Sequence, residues 1–387
     1  MKKKLLFVLP SLRSGGAEKS LVTLLQTMDS TRFEVDLLLF RREGLFLPLV
    51  PAWVRILDGG EAYSVFDGSF KNAMLYFLKR GKLRMTLNRL LYARAQSDPK
   101  KAWKYLSRVL PEPTEQYDAA VGYLEGTATY FVADCVRAKK KITFLHTDYD
   151  RIVSQKSMDA PYYEHMDAFV GVSEQCCEKA IAHFPFLAGK TVTMHNIVSP
   201  AVIGAMARQG DGLCRESNET MLLTVGRLSP PKGIDLAVQA CAILTERGCN
   251  IRWYHIGIGE LQTQMEALIR ERNVQEHFIL LGERSNPYPY TASCDIYVQP
   301  SRFEGKSIAI DEAKCLAKPI VVTDFGTVHD QIEDGVNGLI APMTAEGIAD
   351  AVERLLRSPE LCRALSEHLQ KEPLGNESEI EKLYALL

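Results

Sequence analysis

Two carboxylates eight residues apart, Glu304 and Glu312, are the side chains of this chain best placed to hold a ligand. Glu304 stands in a short loop after the apolar run DIYVQPS, and Glu312 stands in a helix-patterned stretch that begins at Ser307. Gly305 follows the first carboxylate, and a glycine lets a ligand approach the backbone closely. If the segment is helical, the pair spans roughly 12 Å. That is about the separation of the sugar and the ribose in a nucleotide diphosphate sugar, and the helix N-terminus between them suits a phosphate.

Two cations stand in a second loop, where the run MLLTVGRL ends and the sequence continues as SPPKGID. Arg227 follows Gly226 directly, and Lys232 comes a few residues later, just beyond the predicted strand. A departing nucleoside diphosphate carries extra negative charge, so cations fixed there stabilise the transition state more than the ground state. For either cation alone, a surface salt bridge is the alternative. The occurrence of both cations just beyond a strand favours a role in binding the diphosphate.

A glycine pair opens the first predicted helix, in the stretch SGGAE at residues 14–18. Gly15 and Gly16 carry no side chain, so backbone amides there can approach a phosphate. The stretch is not G-x-G-x-x-G, and the second predicted strand is followed by RRE, which is a poor match to a dinucleotide-binding fingerprint. A plain tight turn is the alternative for the two glycines.

The elements that must position these residues form an alternating series. Short apolar runs, each followed by helical or loop sequence, indicate parallel sheets in both halves of the chain. The runs are LLFVLP, FEVDLLLF, DAAVGYL, KITFLHT and DAFVGVS in the first half, and MLLTVGRL, IRWYHIG, FILLG, DIYVQP, PIVVT and GLIAP in the second. The polar stretch ARQGDGLCRESNET between them predicts a linker, and a length of 387 residues suits two domains.

Composition narrows the class of protein. A net charge of −2 gives no overall attraction to nucleic acid. Nine cysteines without a C-x-x-C pair indicate reduced thiols in a cytosolic compartment, and histidines without a shared spacing argue against metal ligation. The start MKKKLLFVLP runs into a Gly-containing loop and has no cleavage site, and no apolar run approaches the roughly 20 residues of a spanning helix. We therefore expect a protein made and kept on the cytoplasmic side.

Residues 70–108 depart from the alternation and carry eleven Lys or Arg against the single acid Asp98, a local charge of +10. Apolar residues, Phe77 and Trp103 among them, are interleaved with these cations on predicted helices. Basic residues beside an apolar stripe are typical of a segment that lies on anionic lipid. An ordinary helical pair with solvated lysines is the alternative, and nucleic acid is disfavoured because no recognition module accompanies the charge.

Taken together, these motifs resemble the retaining GT-B glycosyltransferases, in particular family 4 (glycosyl transferases group 1) of the bacterial surface-polysaccharide type. Glu304 and Glu312 resemble its E-x7-E motif, Arg227 and Lys232 its G-R-x4-K-G motif, and SGGAE its G-G-A-E opening. The resemblance implies an α/β fold of two Rossmann-like domains that face each other across a cleft. The acceptor domain would be residues 1–200, the donor domain 216–370, and residues 371–387 would form a helix packing back on the first domain.

The resemblance also implies the reaction. A hexosyl group would pass with retention from a nucleotide diphosphate sugar, with a UDP-sugar expected, to a lipid-linked or glycan acceptor in cell-surface polysaccharide biosynthesis. Neither a metal nor a cofactor is expected. The leaving diphosphate, held by Arg227 and Lys232, would itself take the acceptor proton. The protein would work on the inner face of the cell membrane, contacting its anionic surface through residues 70–108.

Further site residues rest on the resemblance. His146 ends ITFLHT, before Thr147 and Asp148, and resembles the histidine that family members place beside the transferred sugar. HIGIGE resembles the G-x-G turn near the nucleotide without the usual Asp, and GERSNPYPY stands where the base is received. The expected catalytic residues are Glu304, Arg227, Lys232 and His146. The expected donor-binding residues are Gly15, Gly16, Gly226, Gly257, Gly259, Arg284, Gly305, Lys306, Ser307, Ile308 and Glu312, of which Lys306 departs from the common apolar residue or Gly.

Three other functions compete with this interpretation. A sugar-binding homologue without catalysis is disfavoured by the presence of both carboxylates and both cations. A GT-B epimerase would hydrolyse or isomerise its nucleotide sugar without an acceptor. A nicotinamide oxidoreductase lacks its fingerprint.

Overall fold

The computed structural model describes residues 2–13, 15–147, 149–152, 156–215 and 218–387. The chain divides into two compact units. The first consists of Met1–Ile197 together with Glu377–Leu387, and the second is Val198–Asn376. Because each unit has its own parallel sheet and its own core, each is described separately below.

The first unit is built on a parallel sheet that has seven strands within the described residues, in the order β3-β2-β1-β4-β5-β6-β7. Leu5 lies opposite Val35 on one side and opposite Ala119 on the other. The strands are β1 (Lys3–Leu9), β2 (Phe33–Leu39), β3 (Arg55–Asp58), β4 (Gln116–Gly122), β5 (Arg137–Leu145), β6 (Ala168–Gly171) and β7 (Thr191–Thr193). The helices are α1 (Gly16–Thr27), α2 (Gly60–Phe66), α3 (Phe70–Lys79), α4 (Leu83–Arg94), α5 (Pro99–Leu106), α6 (Thr127–Cys135), α7 (Lys156–His165) and α8 (Glu174–His183).

Strand β1 explains how this sheet is covered on both faces. Successive side chains of a strand point to opposite faces. Leu5, Phe7 and Leu9 pack with α1 in one buried cluster, whereas Leu6 and Val8 pack with α2, α3, α5 and α6 in another. All five are fully buried, which is why the run reads as continuously apolar.

Helices α2 to α5 fill the space between β3 and β4 in the chain and interrupt the alternation of strands and helices. Phe77 and Trp103, which the sequence placed on a lipid-facing stripe, are buried in the core of the first unit. That part of the prediction is wrong, because α3 and α5 pack these two side chains against the sheet. Within the described residues, no helix is both long and apolar enough to cross a membrane.

The second unit has a parallel sheet of six strands in its described part, in the order β10-β9-β8-β11-β12-β13. Its elements are α9 (Pro200–Ala207), β8 (Thr220–Val225), α10 (Ile234–Glu246), β9 (Ile251–Ile256), α11 (Gln262–Glu271), β10 (Phe278–Gly282), α12 (Tyr288–Ser293), β11 (Ile296–Gln299), α13 (Ile308–Cys315), β12 (Ile320–Thr323), β13 (Leu339–Ala341), α14 (Ala345–Arg357) and α15 (Pro359–Lys371). The strand order reverses between β8 and β11. In such sheets ligands bind at this switch point, outside the carboxyl ends of the strands.

The stretch ARQGDGLCRESNET, which the sequence predicted as a linker, is attached to the second unit. Helix α9, which ends in it, packs on α12 and α13. The amide of Leu213 donates to Ser293 Oγ (2.7 Å), and the Arg215 guanidinium donates to both carboxylate oxygens of Asp295 (2.7 and 2.8 Å). Residues 216–217 of the stretch lie outside the described part. The division between the units falls earlier, after Ile197.

Helix α16 (Ile380–Leu386) returns the chain to the first unit, as predicted. Its Leu383 is fully buried in the cluster of β1 and α1. The ring of Tyr384 lies 4.8 Å from that of Phe33. Lys3 Nζ donates to the carbonyl oxygen of Leu387 (2.8 Å), which joins the first strand to the end of this helix. Two α/β units, each built on a parallel sheet, and a terminal helix that belongs to the first unit are the elements of a GT-B fold.

Candidate active site

An ion pair joins the two loops that flank the switch point of the second sheet. Lys232 follows β8 in a short 3-10 turn, and Glu304 follows β11. The Lys232 ammonium donates to both carboxylate oxygens of Glu304, at 2.6 and 2.8 Å. The Glu304 side chain is 9% exposed and that of Lys232 is 27% exposed, so the pair is largely but not fully shielded from water. The sequence had assigned both residues to the ligand and had not foreseen that they pair.

Neutral donors hold the same carboxylate. Ser301 Oγ donates to Glu304 Oε1 (2.7 Å), and Gln299 Nε2 approaches that oxygen at 3.2 Å. The Glu304 carbonyl in turn accepts from Thr327 Oγ1 (3.0 Å). Gln299 and Ser301 are fully buried at the end of an apolar strand. Sequence reasoning missed both, although two polar residues in the run DIYVQPS were the available signal. Together these contacts fix the position and orientation of Glu304.

Arg227 lies at the same edge with its side chain exposed. Within the described residues, its guanidinium has neither an ion pair nor a side-chain hydrogen bond. The backbone that carries it is firmly held, since Gly226 donates to the carbonyl of Ile256 (2.9 Å) and Leu228 to that of Ile258 (3.1 Å). A free cation on a fixed backbone is therefore available at the carboxyl edge.

The predicted glycines of the second unit bring two loops into contact. Gly257 has φ of +140°, and a Cβ there would lie 1.9 Å from the carbonyl oxygen of Gly226. A Cβ at Gly259 would lie 2.2 Å from the carbonyl oxygen of Leu228. Any side chain at these positions would separate the loops after β8 and β9. Gly226, Gly257 and Gly259 thus lie close together. The close packing of one backbone on another explains why the last two positions require glycine.

Glu312 lies on α13, the helix predicted to follow Glu304, and is buried. Tyr288 Oη donates to its Oε1 (2.9 Å). At the start of the helix the amide of Ser307 donates to Gln331 Oε1 (2.9 Å), and Gln331 Nε2 donates back to the Ser307 carbonyl (2.9 Å). The Ser307 amide is therefore already bonded within the protein, which differs from its expected contact with a phosphate.

The other expected donor-binding residues of this unit differ in their surroundings. Gly305 and Lys306 are exposed, and Lys306 Nζ stands 3.7 Å from Asp311 Oδ2. Ile308 is the first residue of α13. Arg284 is bonded to its neighbours in the chain, since its Nε donates to Tyr290 Oη on α12 (3.1 Å) and a terminal nitrogen donates to the Glu283 carbonyl (2.8 Å).

In the first unit, Gly15 and Gly16 precede and begin α1. The Glu18 side chain folds back over Gly15, so that a Cβ there would lie 1.9 Å from Glu18 Oε2. A carboxylate at this helix N-terminus occupies the place where the sequence predicted a phosphate, and its charge opposes an anion. Ser14 of the same stretch lies outside the described residues.

His146 follows β5 and is held in its neutral form. Burial lowers its pKa to about 4, although a hydrogen bond to the Tyr123 backbone opposes the shift. Its Nε2 has no hydrogen-bond partner among the described residues, and Tyr123 stacks obliquely at 4.9 Å between ring centroids. The His146 amide donates to Glu125 Oε2 (3.2 Å). Glu125 was not foreseen from sequence, and Asp148 lies outside the described residues.

Glu125 is a second titratable group at this edge of the first sheet. Burial raises the pKa of its carboxyl group, and the negative charges of Asp159 and Glu18 raise it further, while hydrogen bonds from backbone amides oppose the shift. In the described part of the chain, no three His, Cys, Asp or Glu side chains cluster as a metal site would require.

Comparison with known proteins gives the site a context. Residues 213–372 match the family model of the glycosyl transferases group 1, and this range lies within the second unit and includes both carboxylates. The chain is 34% identical over 161 residues to the alpha-D-kanosaminyltransferase of Streptomyces kanamyceticus, and this alignment covers 41% of the chain and 42% of that protein. The chain thus spans about two fifths of the length of this relative.

A second relative aligns over nearly its whole length. It is the N-acetylgalactosamine-N,N'-diacetylbacillosaminyl-diphospho-undecaprenol 4-alpha-N-acetylgalactosaminyltransferase of Campylobacter jejuni, 26% identical over 372 residues, with 94% of this chain and 92% of that protein covered. Among solved structures, Anabaena HepE in complex with UDP and glucose superposes with a TM-score of 0.65 at 18% identity and covers 99% of this chain and 98% of its own. The chain has the GT-B fold, and these findings support a glycosyltransferase.

Proposed function

We propose that this protein is a retaining glycosyltransferase of family 4 that moves a hexosyl group from a UDP-sugar to a lipid-linked or glycan acceptor in cell-surface polysaccharide biosynthesis. The observation that carries the proposal is the cluster at the switch point of the second sheet. The free guanidinium of Arg227 and the Lys232–Glu304 pair stand there on the two flanking loops. Fixed cations beside a fixed carboxylate suit a ligand in which a diphosphate is joined to a sugar.

Lys232 has a different partner in each step of this scheme. Without donor, its ammonium is held by both oxygens of Glu304. An incoming diphosphate competes for the same ammonium, and Arg227 adds a second cation. When Lys232 turns to the diphosphate, Glu304 keeps Ser301 and Gln299 and gains free lone pairs. Those lone pairs can accept hydrogen bonds from the hydroxyl groups of the transferred sugar.

The chemical step then needs mainly a stabilised leaving group. The bond between the anomeric carbon and the diphosphate oxygen breaks, and Arg227 and Lys232 meet the charge that develops on that oxygen. The acceptor hydroxyl attacks from the same face, and its proton passes to the departing diphosphate. No side-chain nucleophile and no metal are used. His146, neutral because of its burial, is assigned to a hydroxyl group of the sugar.

The rest of the donor is assigned to Glu312. Its carboxylate is buried and oriented by the Tyr288 hydroxyl, and it would accept the two ribose hydroxyls. The solved complex of HepE with UDP supports the choice of uridine, and the Campylobacter jejuni relative, named for a diphospho-undecaprenol substrate, supports a lipid-linked acceptor. Such an acceptor suits an enzyme on the inner face of the cell membrane, with residues 70–108 against its anionic surface.

Thermal shift with nucleotides tests the proposal. UDP and UDP-sugars should raise the melting temperature, because a ligand at 100 times its Kd stabilises by about 2.7 kcal/mol. Arg227→Ala and Glu312→Gln should weaken UDP binding. Arg272→Ala removes an exposed arginine at the end of α11 and is the matched control, expected to bind UDP like the wild type.

Transfer itself is then measured with the UDP-sugar that stabilises most and a membrane extract as acceptor. Glu304→Gln should reduce kcat strongly while UDP still binds, since the carboxylate is assigned to the sugar. The proposal fails if no nucleoside diphosphate stabilises the wild type. The assignment of Arg227 fails if Arg227→Ala binds UDP and turns over like the wild type.

A further inference from the structure

Helix α4 has its polar side towards the protein and part of its apolar side towards solvent. Leu83 and Leu87 are 69% and 57% exposed. In contrast, Thr86, Asn88 and Arg89 on the same helix are buried. In this part α4 departs from an ordinary surface helix, which buries its apolar stripe, although its Met85 and Tyr92 do pack against the core.

The buried polar residues have contacts that fix this orientation. Asn88 Nδ2 donates to the carbonyl oxygen of Tyr105 on α5 (2.6 Å). Arg89 donates to the carbonyl oxygen of Gly68 (3.1 Å), and its guanidinium lies 5.6 Å from the ring centroid of Phe66. Rotating the helix to bury the leucines would break these contacts. The exposure of the two leucines is therefore fixed by the packing of the first unit.

Helix α3, which packs on α4, also exposes apolar side chains. Five of the nine large hydrophobic side chains that are exposed among the described residues lie on α3 and α4. They are Phe70, Leu75, Leu78, Leu83 and Leu87. We call them the hairpin face. Helix α5 adds nothing to it, since its Trp103 and Leu106 are buried.

Cations accompany the hairpin face in the sequence. Four exposed basic residues lie where α3 ends and α4 begins, two in the turn itself and one on each adjoining helix end: Lys79, Arg80, Lys82 and Arg84. The sequence from residue 70 to residue 97 contains no Asp or Glu. One acid from another helix approaches, since the carboxylate of Glu61 on α2 lies 3.6 Å from Arg80, with both side chains exposed. Exposed apolar side chains beside an excess of positive charge match the two layers of an anionic leaflet, the acyl chains and the acidic headgroups.

We propose that the hairpin face inserts into an anionic lipid bilayer and is the membrane contact of this protein. The contact expected over residues 70–108 is thereby narrowed to α3, α4 and the turn between them. This inference rests on the proposed function, because the membrane contact would serve to bring the transferase to a lipid-linked acceptor. Vesicle binding needs no transferase activity, so the two can fail separately.

Co-sedimentation with vesicles tests the proposal. The wild type should bind vesicles of phosphatidylglycerol and phosphatidylcholine, and much less phosphatidylcholine alone, with binding weakened by salt. Replacing both leucines, Leu83→Ser with Leu87→Ser, should lower the partition coefficient at least tenfold. Reversing the four charges at and beside the turn, by glutamate at Lys79, Arg80, Lys82 and Arg84, should do the same.

A matched variant carries the same charge change on the neighbouring segment, with glutamate at the exposed Lys100, Lys101, Lys104 and Arg108. Its partition coefficient should fall less than threefold. Circular dichroism shows whether each variant is folded, and a folded Leu87→Ser single variant replaces the pair if the pair unfolds. No binding of the wild type at low salt overturns the proposal, and so does an equal loss in the matched variant. A dimer that dissociates in Leu83→Ser with Leu87→Ser, without vesicle binding, would instead assign the face to a second copy of this chain.

Discussion

Replacing Lys232 by methionine should destabilise the second unit, because it leaves a shielded carboxylate without its cation. Removing one partner of a fully buried ion pair costs about 3–5 kcal/mol. Here the Lys232 side chain is 27% exposed, and Ser301 and Gln299 still donate to Glu304. We therefore expect the free energy of unfolding to fall by about 1–3 kcal/mol. Arg227→Ala should change it by less than about 0.5 kcal/mol, because that side chain is exposed and unpaired in the described part of the chain.

The unfolding of the second unit can be followed alone. Of the three tryptophans, Trp253 lies in that unit, and Trp53 and Trp103 lie in the first. Urea denaturation is monitored by Trp253 fluorescence in a background with Trp53→Phe and Trp103→Phe. The double variant Lys232→Met with Glu304→Gln should be more stable than the sum of the single effects by about 1 kcal/mol. The idea that this pair stabilises the loops would be refuted if the losses in free energy of unfolding of the two single variants simply added up in the double variant. It would also be refuted if Lys232→Met had the urea midpoint of the wild type.

Three further predictions concern metal, pH and the terminal helix. Transfer should persist in EDTA, since Arg227 and Lys232 meet the diphosphate charge; full inhibition that Mg²⁺ or Mn²⁺ reverses would contradict this. Burial lowers the pKa of His255 to about 4. Between pH 6.5 and 4, the imidazole therefore binds a proton in the unfolded state but stays neutral in the folded state. Stability of the second unit should therefore decline by up to about 3 kcal/mol from pH 6.5 to 4, and His255→Leu should flatten that decline in urea titrations at several pH values. Deleting residues 377–387 removes Ile380, Leu383, Tyr384 and Leu387 from the core of the first unit, at about 1.5–3 kcal/mol for each large apolar side chain; calorimetry should show the first unit melting earlier, and an unchanged melting profile would contradict the role of α16.

The fold was largely predictable because buried parallel strands leave continuous apolar runs. The second sheet was foreseen strand by strand for that reason, and α13 begins at Ile308, next to its predicted start at Ser307. Strands β3 and β7 were missed. Both are short and lie at the sheet edges, and neither is fully buried, so RILD and TVT carry little apolar signal.

The site was predictable as a set of strand ends but not as a set of contacts. Parallel order brings Arg227, Lys232 and Glu304 to one edge, and motif spacing identifies them. The pairing of Lys232 with Glu304 joins residues far apart in the chain, and no periodicity encodes it. The orientation of α4 could not be predicted from the sequence for a similar reason. A helical pattern of leucines reveals that a stripe exists, whereas the buried contacts of Asn88 and Arg89 decide which side it faces.

The first unit is assembled from two separated pieces of chain, and this determines the order in which the protein can fold during synthesis. Residues 198–376 leave the ribosome before Glu377–Leu387, so the buried cluster of β1, β2 and α1 is completed only after α16 has been made. The second unit has no such delay, and its two ends are already joined, since Asn376 donates to the Val198 carbonyl (3.1 Å) and Val198 to Asn376 Oδ1 (2.6 Å). Since domains generally fold as units, we expect the second unit to complete its fold before the first, although most of the first unit is translated earlier.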